Sequence, residues 1–595
     1  MDKRVIEQAL IVHYQSRVLS YFKPRFMQIN YTFFCALVLF ITGCNQDTAP
    51  VYEIDKTVFS RSGVVVTAHP LTTETGLEIL KAGGNAVDAS IAIQFVAAVV
   101  YPRAGNIGGG GFMVYRGHDG STSTLDYREK APAAAHRDMY LDNDGNVIPG
   151  LSTKGHLAAG VPGTVAGLAV AHERYGKLAF AELLAPAIRY AADGYLLTEI
   201  EAERLNRYSS DIEEFNDSDC PFITIANDGW KKGDRVIQSD LAKTLRRIAT
   251  NGADGFYKGI TAEKIVSEIQ SGDGLMTLHD LTSYKAVWRE PITAEYKEYT
   301  MISMPPPSSG GVALAQLLAM VEDYPISEWG FQDTRTIHLM TEAERRVYAD
   351  RAEYLGDADF YPVPIDTLLD AEYIQFRMAD FDADKATTSA TVGTGNFALS
   401  MESYETTHFS VIDGEGNAVS ATTTLNSNYG SKVMVDGAGF FLNNEMDDFS
   451  VKPGFPNQFG LVGAEANAVQ PEKRMLSSMT PTIIEKNGEF YMVLGTPGGA
   501  TIITSVFQVF LNVVEFGMTA SEAVQAKRFH HQWLPDEIII EEGTLSQERL
   551  AQLRTMGHDI REVKAIGMVE AILLHPDGRY EGAADTRGDD HAAGM

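Results

Sequence analysis

Cysteine is scarce in this chain, with three residues in 595. Cys35 leaves with an N-terminal signal and Cys44 would carry lipid, so Cys220 is the one thiol left to a mature protein. That excludes an intramolecular disulfide and a cysteine zinc cluster; a chain of this length does without staples because its core is large. Basic residues are also in deficit. Lys and Arg number 49 against 79 Asp and Glu, a formal charge of −30, which argues against nucleic acid or an anionic membrane surface as a partner. There is no internal repeat, no low-complexity tract and no disordered composition past residue 45. Several chemical signatures are missing too. No G-x-S-x-G elbow occurs, and the glycine run 108–111 lacks the Gly-Lys-Ser/Thr ending of a phosphate loop. His530-His531 has no H-E-x-x-H or comparable metal spacing beside it and reads as a packed structural pair. No metal and no cofactor is expected.

The leader comes first among what is present. The apolar run 31–41 is too short to span a bilayer and suits the core of a signal peptide, with Lys23 and Arg25 as its positive flank. It ends in Ile41-Thr42-Gly43-Cys44, which resembles the bacterial lipobox, where the cysteine is lipidated and becomes the first residue. Residues 1–43 are therefore read as a lipoprotein-type signal and 44–57 as a polar tether. The expected location is periplasmic, with membrane contact only through lipid on Cys44. Asn45 carries no inner-membrane Asp signal, so outer-membrane anchoring is expected.

Beyond residue 58 strand and helix patterns mix. Residues 63–67 read as a buried strand, and 75–82 as a helix stopped by Gly83-Gly84. Residues 86–100 are small and apolar on nearly every face, hence a buried helix ended by Tyr101-Pro102. Helices are expected at 165–175, 180–192, 240–250, 312–321, 335–354 and 501–516, and strands at 112–115, 481–484 and 490–494. Residues 380–405, rich in Ala, Thr, Ser and Gly without periodicity, read as a surface loop.

The texture changes at Thr406. Two strand-like runs, 407–412 and 418–425, flank Asp413-Gly414-Glu415-Gly416-Asn417, a strong hairpin signal. A turn centred on Glu415 places Thr406 opposite Thr424, where paired Cα atoms lie about 4.5–5.5 Å apart. A bulge would shift this by one residue. Taken alone, a threonine pair is ordinary strand composition.

The motifs TTHFSVID at 406–413, GNAVS at 416–420 and TTLN at 423–426 resemble the processing site of γ-glutamyltranspeptidases. LNNEMDDF at 442–449, LSSMTP at 476–481, PGG at 497–499, GNIGGGGF at 105–112 and YREKAP at 127–132 match the same family, in order, from about residue 58 to the C-terminus. The resemblance implies an α+β fold, a four-layered αββα sandwich of the N-terminal-nucleophile hydrolase type. Both fragments of one self-cleaved precursor build it: a large subunit, 58–405, and a small catalytic subunit, 406–595. It implies that Thr406 Oγ attacks the carbonyl of Glu405, and that the freed α-amine, with a reference pKa of about 7.7–8.0, serves as general base for the same residue's hydroxyl. No triad is then needed. Gly498 and Gly499 would supply backbone donors to an oxyanion. Thr424 would orient the nucleophile, and Asn426 would lie on the same strand face.

A γ-glutamyl substrate carries an α-carboxylate and an α-ammonium. The family pattern puts Arg128, Ser477 and Ser478 on the carboxylate, and Asp448, Glu445 and Asn426 on the ammonium. Read singly, Arg128 beside Glu129 is a surface ion pair, and Asp447-Asp448 a solvated turn. Position 445 is Glu where bacterial relatives often have Gln. KPGFPNQFG at 452–460 resembles a lid loop, with Phe459 where a Tyr often closes the pocket. The expected reaction is ping-pong γ-glutamyl transfer from glutathione or a related amide to water, an amino acid or a peptide. A glutaryl or β-lactam side-chain acylase would share the nucleophile but has no ammonium to match Asp448. An uncut periplasmic peptide-binding lipoprotein would show ligand affinity without turnover.

Overall fold

The computed structural model describes residues 51–224, 228–393 and 406–595. The leader through Cys44, and Glu405, lie outside the described residues. Among those described, the chain forms a mixed α/β body with two antiparallel seven-stranded sheets. The first runs His591–Gly594, Val64–Thr67, Thr406–Ile412, Ala418–Thr424, Gly110–Arg116, Thr122–Asp126, Val287–Arg289. The second runs Thr57–Ser60, Tyr580–Ala584, Glu570–Leu574, Glu489–Gly495, Thr482–Lys486, Tyr299–Ser303, Ile292–Tyr296. Each sheet takes strands from both sides of Thr406.

Strand alternation sorts the core. Val65, Met113, Phe409 and Val411 pack with helices Pro70–Lys81, Ala86–Val100, Thr164–Tyr175 and Phe180–Asp193. Their neighbours Val64, Val66, Phe112, Val114 and Ile412 meet Ile302, Ile483, Val493 and Ile572 of the second sheet. On that sheet's other side, Met301, Ile484, Met492, Leu494 and Leu573 pack with helices Gly310–Val321, Thr334–Tyr354 and Thr501–Val514.

Local sequence explains the elements nearest Thr406. Asn85 and Asp88 close a reciprocal capping box on helix Ala86–Val100, every residue of which is buried. Helix Pro70–Lys81 starts five residues earlier than its periodicity suggests, with His69 Nδ1 accepting from the Leu71 N–H. The threonine pair there has low helix propensity, and the cap offsets it. The hairpin has the expected register, Thr406 opposite Thr424 with no bulge, down to Ile412 opposite Ala418.

Two expectations are corrected. Residues 380–393 are not all surface loop. They contain the helical turn Ser389–Val392, whose buried Ser389 accepts from Arg345 Nη1 (2.7 Å) and donates its N–H to Asp536 Oδ2 (2.8 Å). A single turn is too short to display a period. The end of the polar tether is pinned to the body: Tyr52 OH donates to Leu196 O (2.8 Å), and Lys56 Nζ donates to Asp585 O, Gly588 O and Asp590 O at 2.6–2.9 Å.

Phe112 lies between the two sheets with no exposure. Phe112→Ala is expected to cost about 3–5 kcal/mol, measured as a lowered unfolding midpoint in urea.

Candidate active site

Thr406 opens its strand, and the pairing around it is lopsided. Its hairpin partner Ala418–Thr424 is bonded along its whole length, whereas the Val64–Thr67 neighbour begins pairing only at Phe409. Thr406 to His408 are thus paired on one edge only, and Thr406 lines the pocket. Thr406, His408 and Ser410 point between the sheets, as do Thr424, Thr422 and Ser420 by the same alternation. His408 Nδ1 lies 2.8 Å from Thr422 Oγ1 and Nε2 lies 3.1 Å from Ser410 Oγ. Ser410 Oγ donates to Glu570 O and Ser420 Oγ to Leu494 O, both in the second sheet. A polar file therefore supports Thr406 from below. Burial drives the His408 pKa down to about 3, so its ring is neutral.

The glycine run fits because side chains would not. A Cβ on Gly108 would stand 2.1 Å from Phe441 O, and one on Gly109 2.1 Å from Thr424 O. Asn106 locks this approach: its Nδ2 donates to Thr424 O (2.8 Å), and its Oδ1 accepts from Gly109 N–H (3.0 Å). Position 424 is thereby held from the loop that precedes strand Gly110–Arg116.

The pocket at Thr406 is lined by Arg128, Thr424, Asn426, Asp448, Ser477, Ser478 and Gly499, with Arg351, Phe459 and Leu461. Most of the residues singled out from sequence therefore meet. Asn426 follows the strand rather than continuing its face. It sits in the left-handed region (φ 72°), its N–H donates to Thr424 Oγ1 (2.8 Å) and its Nδ2 to Asn444 O (3.0 Å). Gly499 (φ 57°) and Gly498 (φ 144°) adopt backbone that L side chains disfavour. Among the described residues neither N–H donates to an acceptor. Both precede helix Thr501–Val514, whose positive end faces the pocket.

Arg128 is fully buried, not a surface partner of Glu129. Its Nη1 lies 2.6 Å from Glu445 Oε2 and its Nη2 2.5 Å from Asp448 Oδ2. Glu445 and Gly498 stand one layer behind the lining. Burial pushes the Glu445 carboxyl well above the usual range, against the pull of Arg128 and with Glu129 and Asp448 adding to the rise. Asp448 shifts the same way for the same first cause. Asp447 is buried, not a solvated turn: Ser152 Oγ donates to its Oδ1 (2.6 Å) and Gln458 N–H to its Oδ2 (3.0 Å), tying loop 452–460 down. Phe459 is buried, and its carbonyl accepts from Gln532 Nε2 (3.2 Å).

Sequence reasoning passed over Arg351. It closes helix Thr334–Tyr354, where a basic residue in the last turn is unremarked on spacing alone. His530 and His531 are buried as expected; His530 Nδ1 lies 2.9 Å from Thr504 Oγ1. His338, Glu342 and His558 cluster as potential metal donors, but these donors are engaged. The two rings are 2.8 Å apart, nitrogen to nitrogen, and Glu342 pairs with Arg345 and Arg346.

Burial raises the Asp447 pKa from 3.8 to about 6. A raised acid contributes stability that is complete below the unfolded value and lost as pH climbs through the folded one. The stability of the parent protein relative to Asp447→Asn is expected to fall between about pH 4 and pH 6 and to be level on either side. Melting temperatures across that range measure it.

A family model described as gamma-glutamyltranspeptidase matches residues 72–595. Over 548 residues the chain is 44% identical to the glutathione hydrolase proenzyme of Escherichia coli (strain K12), covering 91% of this chain and 94% of that one. It is 46% identical over 532 residues to the Pseudomonas aeruginosa glutathione hydrolase proenzyme, covering 88% and 93%. The solved cephalosporin acylase from Bacillus halodurans is similar at 27% identity and a TM-score of 0.80, covering 93% of this chain and 99% of that one. With Thr406, Thr424, Arg128, Asp448 and the serine pair converging on one pocket, the chain belongs to the gamma-glutamyltranspeptidase family.

Proposed function

We propose that this protein is a self-processing γ-glutamyltransferase and glutathione hydrolase. One observation carries the reading: the pocket that exposes Thr406 also holds both signs of charge needed for an amino-acid headgroup. In the precursor, Thr406 Oγ attacks the Glu405 carbonyl, and water cleaves the resulting ester, freeing the Thr406 amine. That amine takes the Oγ proton as the hydroxyl attacks a γ-glutamyl amide, then passes it to the departing amine. Gly498 and Gly499 N–H groups receive the oxyanion, helped by the positive end of the following helix. Water, an amino acid or a peptide then collects the γ-glutamyl group from the Thr406 ester, its proton returning through the same amine.

Arg128, Ser477 and Ser478 take the substrate α-carboxylate, and Asp448 with Asn426 takes the ammonium. Glu445 acts through Arg128 rather than by touching substrate, given its place behind that side chain. Loop 452–460 serves as the lid. The hydrophobic clusters on either side of and between the two sheets support a four-layered αββα sandwich, and the name proenzyme among relatives supports division into a large subunit ending at Glu405 and a small one starting at Thr406. The leader supports export, with lipid on Cys44 holding the protein at the periplasmic face of the outer membrane.

The acylase neighbour supports a second reading, removal of a glutaryl side chain. Asp448 opposes it, because that group has no ammonium and leaves the carboxylate without its partner. On a denaturing gel with intact mass, the parent chain is expected as two fragments, the smaller beginning at Thr406, and Thr406→Ala as one uncut, inactive chain. Turnover of a γ-glutamyl anilide without turnover of the glutaryl anilide is expected; the reverse preference would establish the acylase, and a folded, uncut parent chain would remove the mechanism.

A further inference from the structure

A backbone N–H is aimed by its peptide plane. In a trans peptide the carbonyl of one residue and the N–H of the next lie in that plane and point opposite ways, so whatever grips the carbonyl also directs the donor behind it. The bonds from Pro497 to Gly498 and from Gly498 to Gly499 are both trans. The second lies between two glycines at φ 144° and 57°, where turning the plane over meets little steric resistance.

Each carbonyl is gripped by a threonine. Gly498 O accepts from Thr501 twice, from Oγ1 at 2.8 Å and from the N–H at 3.0 Å. Pro497 O accepts from Thr496 Oγ1 at 2.7 Å, and that hydroxyl is itself fixed by accepting from the Met568 N–H at 2.9 Å. Gly567 makes room for this contact, since a Cβ there would stand 2.9 Å from Thr496 Oγ1. Thr496 and Thr501 are fully buried, which keeps water from competing for either bond. The Gly499 N–H therefore points away from the first turn of helix Thr501–Val514, and the Gly498 N–H away from Thr496. Neither N–H is taken up by an acceptor among the described residues, and Gly499 lines the pocket with Thr406.

We infer that Thr496 and Thr501 are positioning residues for acyl transfer: their hydroxyls hold the carbonyls of Pro497 and Gly498 so that the Gly498 and Gly499 N–H groups stay turned toward the oxyanion. This rests on the γ-glutamyl reading and adds two side chains that stand outside the pocket lining. The glycines supply a backbone conformation that side chains disfavour, and the threonines remove the freedom that comes with it. Donors fixed in the folded protein need no reorganisation when charge develops on the substrate.

Thr501→Val keeps the shape of the side chain and removes its hydroxyl. On a γ-glutamyl anilide it is expected to lower kcat about 10- to 100-fold, less than deleting a donor outright because the Thr501 N–H remains. KM is expected to stay within about threefold, since the contact acts on the transition state. Thr501→Ser restores the hydroxyl and is expected to return most of the rate; Thr496→Val and Thr496→Ser are expected to repeat the pattern. The boronic acid analogue of the donor, which forms a tetrahedral adduct on Thr406 Oγ, is expected to lose affinity for both valine variants in step with kcat/KM. Glutamate, which forms no oxyanion, is expected to keep its inhibition constant within about twofold. Melting temperature and fragment pattern report folding, and if one valine variant fails to fold or stays uncut, the other threonine's pair of variants decides. Serine variants as slow as the valine ones, a loss carried by KM and shared by glutamate, or full activity in the folded valine variants overturns the inference. A parent chain that turns over no γ-glutamyl donor overturns the underlying reading, and this one with it.

Discussion

The main-chain ladder between Thr406–Ile412 and Ala418–Thr424 is the constraint on which the site depends. A side chain at the end of a strand is free to fray unless its neighbours bear on it. Here the ladder is unbroken to its last pair, and Asn106 together with Gly109 bears on the carbonyl of Thr424 from the loop that leads into the adjacent strand. Thr406 inherits its position from backbone geometry, which carries little rotamer freedom. Pairing on the other side begins only at Phe409, so Thr406, which lines the pocket, is held from one edge.

Electrostatics adds the second layer. Four ionisable groups, Arg128, Glu129, Glu445 and Asp448, are gathered where water is excluded, and burial dominates the shift of each acid. Such a cluster is poor at stabilising a fold, since the cost of desolvating several charges offsets much of their attraction. Its value lies in orientation. The carboxylates are held by a guanidinium that cannot lose its proton, so their directions are set before a ligand arrives.

Much of this was legible in the sequence, for identifiable reasons. The hairpin register follows from a strong turn flanked by period-2 runs, and helix Ala86–Val100 follows from its uninterrupted apolar composition. Helix Glu199–Phe215 is different: its buried stripe is reduced to Ala202, Leu205 and Ile212 with Glu201, too sparse to announce a period. The hairpin Ile292–Tyr296 and Tyr299–Ser303 turns at Lys297, a residue seldom found at positive φ. In the site, the burial of Arg128 was invisible because its partners Glu445 and Asp448 lie more than 300 positions away in sequence. Asn426 broke from its strand because the Thr424 hydroxyl accepts its N–H, a local bond that competes with the ladder.

Both seven-stranded sheets interleave strands from before and after Thr406. A backbone cut at that point leaves two polymers woven through one interior, with no face along which they could part. Pulling them apart would strip central strands from each sheet and expose the hydrophobic clusters they share, so separation and denaturation are the same event. Dilution then has no hold on the pair, and its lifetime is that of the fold. Under the proposed processing, the weave would form from one continuous chain and the cut would belong after it is complete.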